Sequence, residues 1–203
     1  MAGDACEERL SHDMALRETL AMVESARVLL QAELITDGFC MVGRLDLPPT
    51  QARLVDLLNF RGEPVIVLHD VELKRLGPES DKVFNWPMAQ VRREAIVLAI
   101  PRERRAPGAE VQPPLEHVAK EPHRVSFLLP SFTVVGDVHV ARGADIGAAS
   151  PMRGSGFVPL TDAEATYLSD PTLVWKAPVI VVNVATAEAF SPAADPSPNS
   201  SSR

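Results

Sequence analysis

The chain has 203 residues, 46% of them hydrophobic and 5% aromatic, with a formal net charge of −7 and a pI near 5.2. That acidic balance disfavours broad attachment to nucleic acid or anionic lipid, since both call for a surplus of cations. With so few aromatics a core must be built from Val, Leu, Ala and Ile, and two cysteines, Cys6 and Cys40, make neither a disulfide framework nor a metal site.

The first residues, Met1-Ala2-Gly3-Asp4-Ala5-Cys6-Glu7-Glu8, lack the basic start and apolar stretch of a signal peptide. No apolar run approaches the roughly 20 residues that span a bilayer. The expectation is a cytoplasmic protein without membrane association. Residues 1–25 follow, in which Leu10, Met14, Leu16, Leu20 and Val23 lie near one face of a helix predicted over Glu7–Glu24.

A first β unit is predicted over residues 26–100. Its opening strands, Ala26–Ile35 and Phe39–Leu47, flank the turn dipeptide Asp37-Gly38. Thr50–Asn59 carries Leu54, Val55, Leu57 and Leu58 at helical spacing, with Thr50 as N-cap. Val65–Leu76 and Pro87–Ile100 read as longer strands, the second broken near Arg92–Glu94. Residues 101–122 are rich in proline and charge and read as a linker. Residues 123–190 form a second β unit, and 191–203, SPAADPSPNSSSR, a disordered tail.

The two units read as copies of one strand meander. Arg61-Gly62 answers Arg153-Gly154, and Leu68-His69-Asp70 answers Leu160-Thr161-Asp162, at one constant separation. Glu72 answers Glu164. Upstream, Met41-Val42-Gly43 answers Val134-Val135-Gly136, and Ala26-Arg27-Val28 is matched to His123-Arg124-Val125. Trp86 and Pro87 are matched to Trp175 and Pro178, and each unit closes on a proline, Pro101 or Pro192. Four or five strands in so short a span, apolar on one face, favour a small barrel or half-barrel.

Asp37-Gly38-Phe39-Cys40-Met41-Val42-Gly43-Arg44-Leu45 resembles the Asp-Gly hairpin and Gly-x-Leu that open the Sm-like fold. Val65-Ile66-Val67-Leu68-His69-Asp70-Val71-Glu72 is similar to that family's next strand, and Gln90–Leu98 to its final segment. The resemblance covers most of residues 26–100 and, more faintly, 123–190. It implies a tandem of small β-barrels and an RNA-binding ancestry. The asparagine that contacts the RNA base in that family falls at Val65 and Phe157 here. Arg93 takes the place of the glycine in the family's Arg-Gly pair, and Asn183-Val184 stands there in the second unit. A bacterial family with the same strand pattern is the alternative description.

No catalytic, cofactor-binding or metal-binding constellation is legible. His12, His69, His117, His123 and His139 lack metal-ligand spacing. His69 and Asp70 are strand neighbours and so point to opposite faces. The duplicated acids Asp70, Glu72, Asp162 and Glu164 are the candidate partner-binding residues. Placed two apart on a strand, each pair shares a face, open to a cation or a partner's arginine. Arg92, Arg93, Arg102, Arg104 and Arg105 are the candidate nucleic-acid contacts, with no aromatics among them to stack bases. Trp86 and Trp175 are read as core or inter-unit packing.

The function this supports is a non-enzymatic assembly or adaptor protein without a cofactor, binding a protein partner or itself through β-edges or faces. An RNA-binding tandem is the alternative, and a small-ligand or metal-sensing module the lesser one. Fold likeness alone does not choose between them.

Overall fold

The computed structural model describes residues 28–47, 53–60, 62–77, 82–102, 119–147, 150–154 and 156–192. The helix expected over Glu7–Glu24, the N-cap Thr50 expected for the helix over Thr50–Asn59, Arg104, Arg105 and the tail beyond Pro192 lie outside the described residues.

Ten strands are present among the described residues: β1 (Val28–Ile35), β2 (Phe39–Leu47), β3 (Val65–Arg75), β4 (Val83–Arg92), β5 (Leu98–Pro101), β6 (Lys120–Leu128), β7 (Phe132–Ala141), β8 (Phe157–Tyr167), β9 (Val174–Asn183) and β10 (Ala189–Pro192). A short helix, α1 (Leu54–Asn59), precedes β3, and single 3-10 turns cover Arg93–Ala95, Pro151–Arg153 and Val184–Thr186. Arg53 takes the cap position of α1 without a side-chain bond, while Leu54 and Leu58 are buried beneath it. Among the described residues no helix is long and apolar enough to cross a membrane.

The mainly β expectation holds, but the strands do not form two separate meanders. They make one open antiparallel sheet in the order β10-β6-β7-β8-β9-β5-β1-β2-β3-β4. In each half the fourth strand gives way, through a 3-10 turn, to a short fifth strand that returns to the first. Strand β5 then pairs on its other side with β9, and so fuses the halves. The run Pro87–Ile100, read as one broken strand, is therefore two strands at different places in the sheet.

Both long third strands carry one extra residue. Val42 lies opposite Glu72 but Arg44 opposite His69, and Val135 opposite Glu164 but Asp137 opposite Thr161. Asp70 and Asp162 sit at these bulges with φ of 50° and 46°. Aspartate tolerates that left-handed conformation better than most residues. The extra residue shifts the alternation, so that Leu68 and Val71, and Leu160 and Ala163, all face inward. A bulge also bends and twists the strand, which curls each half around its own core. The residues opposite are Gly43 and Gly136. A Cβ on Gly136 would lie 2.8 Å from the Leu160 Cβ and 2.9 Å from the Ala163 Cβ.

These registers correct two of the matches between halves. Ala32 pairs with Gly43 and Val125 with Gly136, so Val125 corresponds to Ala32 and not to Val28. Trp86 pairs with Val71 and Trp175 with Ala165, so Trp175 corresponds to Phe84 and Trp86 to Ala177. Both prolines that close the halves do end fifth strands.

There are two cores, one per half. The first gathers Ala32, Leu34, Leu45, Leu58, Ile66, Leu68 and Ile96; the second gathers Phe127, Leu129, Phe132, Leu160, Ile180 and Val182. At the joint each strand feeds both. Leu98 and Ile100 enter the second core and Ala99 the first, while Val182 enters the second and Val181 the first. Strands covered on both faces need unbroken apolar runs, which is what Ile96–Ile100 and Val179–Val182 are.

Candidate functional site

The joint is held by more than the β5·β9 ladder. Asn59, the last residue of α1, donates from Nδ2 to the carbonyl of Phe157 and accepts the Phe157 N–H, both at 2.8 Å. The buried Asn183 donates to the Ile96 carbonyl at 2.8 Å. Tyr167 Oη donates to the Asp37 carbonyl at 3.4 Å. Glu33 is the most deeply placed charge among the described residues, 2% exposed. Its carboxylate accepts from Trp175 Nε1 and from Cys40 Sγ, both at 2.8 Å, and from Arg102 Nη2 at 2.5 Å. Burial, together with the neighbouring Glu33 charge, pushes the Cys40 thiol well above its ordinary pKa, so it stays a protonated donor. A buried carboxylate with three donors is satisfied; stripped of them it would be costly.

Two of the clefts along this joint carry candidate residues. The first, about 320 Å³, is lined by Glu33, Cys40, Glu72, Lys74, Arg102 and Trp175 among others. The second, about 610 Å³, is lined by Pro64, Val65, Arg92, Arg93, Glu94, Phe157, Asn183 and Ala185. Val65 and Phe157, set from sequence against the base-contacting asparagine of the Sm-like family, and Arg93 and Asn183, set against its Arg-Gly pair, thus line one cleft. Arg92 reaches Glu94 at 3.3 Å and is largely exposed. Arg93 has its Nε buried without a partner, and burial lowers its pKa against the opposing pull of Glu63. Arg102 lines the other cleft, so the candidate arginines among the described residues, Arg92, Arg93 and Arg102, do not share one patch.

The candidate acids Asp70, Glu72, Asp162 and Glu164 are also dispersed. Asp70 pairs with Arg44 across the bulge, and Glu164 with Lys176 at 2.8 Å on the neighbouring strand. Asp162 contributes its backbone carbonyl, which accepts from Arg124 at 2.9 Å. Glu72 lines the smaller cleft. The simple alternation that placed His69 opposite Asp70 does not apply across the bulge, where Leu68 and Val71 both face inward. Asp70 and Glu72, by contrast, are both exposed on either side of the buried Val71. Among the described residues no three His, Cys, Asp or Glu side chains are grouped to hold a metal ion.

The remaining feature is the outer strand β4. Val83, Phe84, Trp86 and Met88 are 45–49% exposed there, with no strand beyond them among the described residues. The expectation that both tryptophans are packed holds for Trp175, whose ring meets Phe132 edge-on at 5.9 Å, and fails for Trp86. Sequence reasoning missed β4 as a site because the strand was started at Pro87, which left Val83 to Trp86 outside it. Comparison with protein-family models, curated proteins and solved structures found no match.

Proposed function

We propose that this chain is a non-enzymatic assembly or adaptor protein, made of two copies of one Sm-like small-barrel unit, that binds a protein partner through an edge of its sheet. The observation that carries the reading is β4: four large apolar side chains exposed along an edge strand. Natural edges are ordinarily guarded by charge, proline or a covering element. Strand β4 carries Pro87 and ends on Arg92, yet still exposes large apolar side chains on both sides of that proline, and apolar exposure marks interaction sites. The matched strand orders, bulges and left-handed aspartates of the two halves support common descent of the units. Affinity purification with nuclease treatment tests the reading. A nuclease-resistant protein partner held by the natural chain and lost from Phe84→Lys/Trp86→Lys supports it. Equal recovery by both chains contradicts it.

RNA binding is the second reading, favoured by the meeting of Arg92, Arg93 and Asn183 in the larger cleft. Two arginines on an acidic protein give few phosphate contacts, so affinity for single-stranded RNA should be weak at physiological salt. Tight binding abolished by Arg92→Ala/Arg93→Ala would put this reading first.

A further inference from the structure

We infer that the partner of β4 is strand β10 of a second copy of this chain, joined head to tail in the way that β9 joins β5 within one chain. The inference rests on the edge-assembly reading and names its occupant. Strands β4 and β9 are both fourth strands, and β5 and β10 both fifth strands, of sets with the same internal order. One fourth–fifth contact is made inside the chain. The other fourth and fifth strands are the two ends of the sheet.

The side chains agree with this assignment. Leu73 pairs with Phe84, Val71 with Trp86 and His69 with Met88. At the corresponding positions Ala165 pairs with Trp175, Ala163 with Ala177 and Thr161 with Val179. Trp175, Ala177 and Val179 are partly buried against the two cores, whereas Phe84, Trp86 and Met88 are 47–49% exposed. On the opposite edge, Ala189 and Ser191 correspond to Leu98 and Ile100. Both are exposed, whereas Leu98 and Ile100 are buried. What is bare at the ends is what is covered at the joint.

The register carries over too. Leu98 faces Val182 and Ala99 faces Val181 in the joint. Ala189 of one chain should therefore face Val91 of the next, and Phe190 should face Gln90. The ionic latch does not carry over, because Ser126 occupies the Glu33 position and Phe84 the Trp175 position. The contact between chains is accordingly weaker than the one within, and reversible on dilution. Because it joins unlike edges, it repeats until a ring closes or a filament grows.

Sedimentation velocity on the full chain and two full-length variants tests the inference. Phe84→Lys/Trp86→Lys disables β4 and leaves β10. Ala189→Lys/Ser191→Lys disables β10 and leaves β4, since a lysine has no place where Leu98 and Ile100 are buried. All substitutions fall at exposed positions, and thermal melts verify folding; if a pair melts early, Met88→Asp or Ala189→Asp alone serves the same arm. The natural chain should form species larger than a dimer as concentration rises. Each variant alone should stay monomeric, and an equimolar mixture should form a one-to-one dimer and nothing larger. Self-association of either variant alone would show like edges pairing and overturn the inference, as would a natural chain that stays monomeric at every concentration. If that monomer still holds a nuclease-resistant partner lost from Phe84→Lys/Trp86→Lys, only self-pairing falls. If it holds none, the edge-assembly reading falls with it.

Discussion

Strands β9 and β4 stand at the same place in their halves, each beside a bulged third strand and each leading through a 3-10 turn into a short fifth strand. Their surroundings differ. β9 has β5 on its far side, and its last four residues, Ile180 to Asn183, are all buried; β4 has no such neighbour among the described residues, and only Ala89 and Val91 are buried along it. Trp175 on β9 is tied to a buried carboxylate, while Phe84 and Trp86 on β4 lie half in solvent. The comparison teaches that a strand of this kind becomes core or surface according to whether a fifth strand arrives beside it.

The largest effect should come from the joint itself. Glu33→Ala leaves the Trp175 and Cys40 donors without their acceptor, at about 1–3 kcal/mol for each buried unsatisfied donor, while the half-exposed Arg102 is rehydrated. Chemical denaturation should show a loss of that order. A loss under about 1 kcal/mol would mean that Glu33 is not part of what holds the halves together.

Truncating the two tryptophans sharpens the contrast. Trp175→Ala removes packing against Phe132 and a hydrogen bond, and should cost about 3 kcal/mol. Trp86→Ala at the edge should stay within about 0.5 kcal/mol for the dilute monomer, as surface changes do. Equal losses would erase the distinction between β9 and β4.

Much of this was legible in residues. The Asp37-Gly38 hairpin, the short helix before β3, the break after Arg92 and the paired Leu-x-Asp motifs all mark real features. The bulge was hidden because two-residue alternation gives no warning that Asp70 and Asp162 adopt a left-handed φ. That single extra residue breaks the alternation between His69 and Asp70, while Asp70 and Glu72 stay exposed on either side of the buried Val71. The Trp86–Trp175 match followed residue identity, whereas cross-strand register sets Trp175 against Phe84. Glu33 drew no attention as one acid in an apolar run. Its acceptor role depends on Trp175, 142 residues away, and no local pattern encodes such a contact. The β5·β9 pairing was hidden for the same reason, although the unbroken apolar runs on both strands were its trace.

A smaller effect concerns Cys40, which lies at the joint and has no counterpart on the open edge. Its thiol is held above the ordinary value of 9.0 in the folded chain, so below that pH folded and unfolded states are both protonated and nothing changes. Above it the unfolded chain releases a proton that the folded chain keeps, and stability falls by up to about 1.4 kcal/mol per pH unit. Melting curves between pH 8 and about pH 10 should show this decline in the natural chain and a shallower one in Cys40→Ala. Parallel declines would place the thiol in a more open setting.

Amide hydrogen exchange along β4 and β9, followed as protein concentration rises, tests the central claim most directly. The account predicts that the β9 amides paired with β5 are protected at every concentration. The outward amides of β4 should exchange rapidly in dilute solution and gain protection together with those of β10 as chains associate. Outward β4 amides already protected in the dilute monomer, or still unprotected when the chain is concentrated, would contradict it.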